Sequence, residues 1–121
     1  MQVRYNDIIK SKGPGIRVVE EANPLIEGNR VVRGSGNGIE VHTRGLGVIK
    51  NNDIVLNRRA GVDIRTFADP VLDRNRLVKN SVGVMCAEQV CFLFVMIWLR
   101  RVHAIARLKA ECGVNVFSVV R

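Results

Sequence analysis

Aromatic side chains are scarce in this chain. Trp, Tyr and Phe make up 5% of its 121 residues, and ahead of residue 86 only Tyr5 and Phe67 occur. That scarcity argues against a platform for stacking bases or sugar rings. Histidine is scarcer still: His42 and His103 lie far apart, with no metal-ligand spacing to Cys or carboxylate, so no metal site is expected. The cysteines, Cys86, Cys91 and Cys112, match no zinc spacing and leave one unpaired if two bridge, so a reducing, intracellular setting is the simpler expectation. "VMCAEQ", residues 84–89, has no nearby His or Gly-rich elbow to make Cys86 a nucleophile. The first 20 residues hold no long apolar run, and a secretory signal peptide is not expected. Acidic residues are in deficit, 11 against 19 Lys and Arg for a formal charge of +8, which raises nucleic acid or anionic membrane as partners and leaves the placement of charge to decide.

What is present is apolar bulk and repetition. Hydrophobic residues reach 47%, enough for the core of one domain. Composition changes near residue 86: ten of the 11 glycines lie at or before Gly83, whereas all three cysteines, Trp98 and three of the four phenylalanines lie at or after Cys86. In the first part Asn6, Asn29, Asn52 and Asn75 recur every 23 residues. An aliphatic follows each by two (Ile8, Val31, Ile54, Leu77) and precedes each by three (Val3, Ile26, Ile49, Leu72). A Gly-aliphatic pair returns at Gly15-Ile16, Gly38-Ile39, Gly61-Val62 and, after a one-residue deletion, Gly83-Val84, followed by Val18, Val41, Ile64 and Cys86. Fixed-period similarity of this kind marks a solenoid. The runs between Gly, Asn and Pro are short and alternate with period two, as in "GIEV" and "GVDI", which indicates strands with tight corners. Residues 1–86 therefore read as a parallel β-helix of three to four 23-residue coils.

Stacking supplies its own check. Coils of a β-helix lie about 4.8 Å apart, so residues one period apart are direct neighbours and opposite charges should alternate. One column reads Arg4, Glu27, Lys50, Asp73 and another Asp7, Arg30, Asp53, Arg76. A third, Arg17, Glu40, Asp63, is compatible but less regular. Asp53, Asp63 and Asp73 could be taken for the carboxylate cluster of a sugar-cleaving β-helix, yet each has an opposite charge in its column, and a register-setting role accounts for it. The asparagine column is expected to form a corner ladder of amides. "GSGNG", residues 34–38, neither follows a Rossmann strand nor opens a helix, and reads as a corner and not a phosphate cradle.

The motifs "NPLIEGN", "GLGVIKNNDI", "AGVDIRT" and "DPVLDRNRL" within residues 23–84 resemble the right-handed β-helix repeats of the F-box only proteins, members ten and eleven in particular. The likeness covers residues 1 to about 86. It implies a right-handed β-helix that binds protein as the substrate-recognition part of an SCF-type ubiquitin ligase in the cytoplasm or nucleus, with no catalytic residues and no cofactor of its own. In that family an F-box precedes the repeats, and the repeats run for many more coils. No F-box segment occurs here, so the chain is expected to be a fragment or a truncated isoform.

After Cys86 the period stops. "AEQVCFLFVMIWLRRVHAIARLKAEC", residues 87–112, contains no Gly or Pro and predicts a helix ended by Gly113, so residues 87–121 are expected to form a helical tail. Its apolar run Val90–Leu99 is too short to span a bilayer. Three readings fit: a cap over the open end of the solenoid, sequence unrelated to the parent fold, or a membrane-surface helix using Arg100, Arg101, Arg107 and Lys109. One surface feature stays outside the ladders. Arg58 and Arg59, with Arg44 and Arg65, have no alternating partner column and form the candidate binding patch, weighed against a merely solvated face. Nucleic acid is not expected there. The expectation is a non-enzymatic, protein-binding segment; the alternative is a carbohydrate-binding or polysaccharide-processing β-helix, which would need a groove lined by aromatics and unpaired carboxylates.

Overall fold

The computed structural model describes residues 1–87 and the backbone of 105–111 and 114–120. Four coils of three strands each make up the first part. The first coil holds β1 (Gln2–Arg4), β2 (Asp7–Ile9) and β3 (Ile16–Val18); the second β4 (Leu25–Glu27), β5 (Arg30–Val32) and β6 (Ile39–Val41). The third holds β7 (Val48–Lys50), β8 (Asp53–Val55) and β9 (Ala60–Ile64), and the fourth β10 (Val71–Asp73), β11 (Arg76–Val78) and β12 (Val82–Ala87). Each strand pairs in parallel with its counterpart one coil away, giving sheet 1 (β1-β4-β7-β10), sheet 2 (β2-β5-β8-β11) and the solenoid part of sheet 3 (β3-β6-β9-β12). The 23-residue period is the pairing register itself: Asp7 lies opposite Arg30, Arg30 opposite Asp53 and Asp53 opposite Arg76.

Alternation along such short strands sends the middle residue inward in sheets 1 and 2 and the two flanking ones inward in sheet 3, and the inward columns are the aliphatic ones. Ile26, Ile39, Val41, Ile49, Ile54, Val62 and Ile64 are fully buried in a single core that runs along the axis. The glycine before the sheet 3 aliphatic is required by close approach. A Cβ on Gly38 would stand 2.6 Å from both the Gly61 carbonyl oxygen and Ile54 Cγ2.

The corners are where backbone polar groups must find partners without a strand ladder. In the first corner the asparagines stack as expected. Asn6, Asn29 and Asn52 each donate Nδ2–H to the Oδ1 of the next rung at 3.0, 3.1 and 2.9 Å. The same Oδ1 atoms accept the backbone N–H of the rung below, while Asn29, Asn52 and Asn75 also donate to the carbonyls of Val3, Ile26 and Ile49. A second ladder stands in the next corner, where Asn57 donates to Asn80 Oδ1 at 3.0 Å and accepts from the Gly34 N–H. Every corner also turns through the left-handed region, using Tyr5, Asn51 and Arg74 after sheet 1, Lys10, Arg33, Leu56 and Lys79 after sheet 2, and Glu20-Glu21, Thr43-Arg44 and Thr66-Phe67 after sheet 3.

The tail departs from expectation where it is described. Ile105–Glu111 (β13) and Val114–Val120 (β14) are antiparallel strands, with β14 antiparallel to β12, and not a helix continued to residue 112. In sequence Arg107, Lys109 and Glu111 alternate with Ala106, Leu108 and Ala110, a period-two pattern that coexists with the i, i+3 one and is the pattern sheet pairing uses. The apolar run Val90–Leu99, the Arg100-Arg101 pair and His103 lie outside the described residues.

Candidate functional site

The corner from sheet 3 to sheet 1 has two left-handed residues per coil. Stacked over three coils, Glu20-Glu21, Thr43-Arg44 and Thr66-Phe67 line an open groove of about 510 Å³, and Leu46 extends it on the sheet 1 side. Backbone bonds between coils fix its rim: Glu21 N–H donates to the Thr43 carbonyl and Arg44 N–H to the Thr66 carbonyl. Arg44 Nη1 reaches Glu21 Oε1 at 3.4 Å, both side chains well exposed, so this pair contributes little stability and leaves both groups free to exchange partners. Phe67 is 58% exposed and Leu46 38%. Beside them one outward column of sheet 1 is apolar from the second coil on, with Leu25, Val48 and Val71 stacked in register and Val48 and Val71 exposed. The result is a groove with apolar walls, two acids and one base at its rim, and an apolar strip beside it.

The four arginines singled out above occupy three places. Arg44 is in the groove. Arg65 follows β9 and bonds the Asp63 carboxylate on its own strand. Arg58 and Arg59 precede β9, exposed in the corner between sheets 2 and 3, and the five residues of β9 separate them from Arg65.

Most acids meet the partners expected of them. Glu27 is held between Arg4 at 3.0 Å and Lys50 at 3.4 Å, and Asp53 lies 3.7 Å from Arg76. Asp63 does not follow the column logic. Its register neighbour is Glu40, a like charge. The conflict is resolved sideways: Asn37 Nδ2 donates to Glu40 Oε1 at 2.8 Å and Asp63 Oδ2 at 3.2 Å, Arg17 pairs Glu40 at 3.3 Å, and Arg65 pairs Asp63. Asp63 is buried, and its Oδ1 has no hydrogen-bond donor among the described residues. His42 bonds the neighbouring Thr43 hydroxyl, and no cluster with metal-ligand geometry occurs among the described residues.

A scan against protein-family models matches the right-handed β-helix region over residues 1–94, the part whose coils and register are described above. The chain belongs to the right-handed β-helix family. No curated protein and no solved structure matches it. Within the β-helix family the fold is a scaffold for sites of many kinds, so function rests on what its outer surface presents.

Proposed function

We propose that this β-helix is a non-catalytic protein-binding segment, the substrate-recognition part of a ubiquitin ligase receptor of the F-box type, working in the cytoplasm or nucleus. The observation that carries the binding role is the groove of Glu21, Arg44, Leu46 and Phe67 opening onto the Leu25, Val48, Val71 strip. Exposed apolar surface rimmed by separable charges is what a protein partner covers. The resemblance of its motifs to the repeats of F-box only proteins supports the ligase assignment. A sugar-processing reading finds less support, because Glu27 and Asp53 stand against cations and Asp63 is buried. The test fuses the chain behind an F-box and places a photo-crosslinker at position 46, in the groove beside Phe67. Proteins crosslinked there should acquire ubiquitin, and Phe67→Asp should abolish both the crosslinks and the modification. Glycan-array binding without any protein crosslink would reject the proposal in favour of the carbohydrate alternative.

A further inference from the structure

The corner between sheets 2 and 3 carries a charge distribution unlike the rest of the solenoid. From Ile8 to Gly15 and in the equivalent stretches of the other three coils there are six cations, Lys10, Lys12, Arg33, Arg58, Arg59 and Lys79, and no carboxylate. All six are exposed. Elsewhere in the coils Arg4, Arg17, Arg44, Lys50, Arg65, Arg74 and Arg76 each pair with an acid, and Arg30 lies in register between Asp7 and Asp53. Among the described residues none of the six has such a partner. Stacking brings Lys10, Arg33 and Lys79 into one column of left-handed corner residues whose fourth member is Leu56, so the charge runs along the axis for about 14 Å at three steps of about 4.8 Å.

One residue before that column lies an outward apolar one: Ile9, Val32, Val55 and Val78, stacked in register and outside the core cluster. We infer that this paired ridge and ladder is a docking surface for a linear acidic–apolar segment of a protein partner, its carboxylates on Lys10, Arg33, Arg58 and Lys79 and its aliphatic side chains on the valine ladder. Six uncompensated cations call for a polyanion. Nucleic acid would leave the aliphatic ladder without a complement, and the stretch has no aromatic residue for base stacking. A membrane surface needs a row of apolar groups that protrude past the basic ones, whereas here only Ile9 and Leu56 are well exposed, Val55 and Val78 are half-buried and Val32 is 6% exposed. The surface is distinct from the groove and does not depend on it.

The test uses the full chain and a fluorescent peptide alternating glutamate and leucine, compared with its lysine-for-glutamate counterpart, a duplex DNA, and vesicles of phosphatidylserine in phosphatidylcholine. Saturable binding of the acidic peptide is expected, weakened about tenfold by combined Arg33→Gln, Arg58→Gln and Lys79→Gln, weakened also by Val55→Ser, and unchanged by Arg44→Gln. Those variants sit at exposed or half-buried positions, and circular dichroism checks that they stay folded. Failure to bind the acidic peptide, tighter binding of DNA or vesicles, or equal weakening by Arg44→Gln would overturn the inference. The last variant lies in the groove, so failure here and failure of the groove reading are separable.

Discussion

A buried amide in the corner ladder holds several backbone groups at once. Asn52 accepts from Asn29 N–H and Nδ2–H, donates to Asn75 Oδ1, and donates to the Ile26 carbonyl. Asn52→Ala therefore leaves donors and an acceptor unpaired in a buried site, and should lower unfolding free energy by about 3 kcal/mol or more. Asn6, exposed at the first rung, should lose under about 1 kcal/mol when replaced by alanine. Chemical denaturation of the two variants checks this, and equal losses would refute the ladder's role. At this scale the sequence was legible where a column repeats one residue type four times. It was silent on the Asn57–Asn80 ladder, because the same column begins with Ser11 and Gly34. It was silent, too, on the left-handed corners, which here accept Tyr, Lys, Arg, Leu, Thr and Phe alike although such residues rarely adopt that conformation.

Strands of three residues have little stability of their own, and the neighbouring coil specifies where they pair. Arg30→Glu would set a glutamate between Asp7 and Asp53 in sheet 2, and should destabilise the fold by about 1–2 kcal/mol at low salt and less at high salt. Arg33→Glu, in a corner free of acids, should have almost no effect, or a slight benefit. Thermal melts at two ionic strengths distinguish them. Strand positions were readable because Gly, Asn and Pro bracket alternating runs. Harder to read was which exposed residues share a face. Arg58, Arg59 and Arg65 are close in sequence, but β9 intervenes, and Arg58 instead shares its column with Lys12, in the corner that also carries Lys10, Arg33 and Lys79. The groove was hidden for a similar reason, since its three stacked corners are Glu-Glu, Thr-Arg and Thr-Phe and show no common residue type. In the tail, a helical spacing and a strand alternation occur in the same residues, and tertiary pairing decides between them.

Across the whole molecule each coil touches only its neighbours, so stability is a sum of interfaces between adjacent coils. Those interfaces are not interchangeable. Inserting a second copy of residues 29–51 would keep the 23-residue register yet place Arg30 beside a second Arg30 and Lys50 beside a second Lys50. Inserting a copy of 29–74 would preserve opposite signs throughout both columns. The longer insertion should therefore give the more stable protein, by about 1 kcal/mol or more, as measured by urea unfolding; the reverse order would show that the charge columns do not set register. The alternation of Arg4, Glu27, Lys50, Asp73 beside Asp7, Arg30, Asp53, Arg76 thus gives the solenoid a parity. A gene-duplication event that adds an even number of coils passes unnoticed by the fold, whereas one that adds an odd number writes a fault line at the join, and unfolding would begin there.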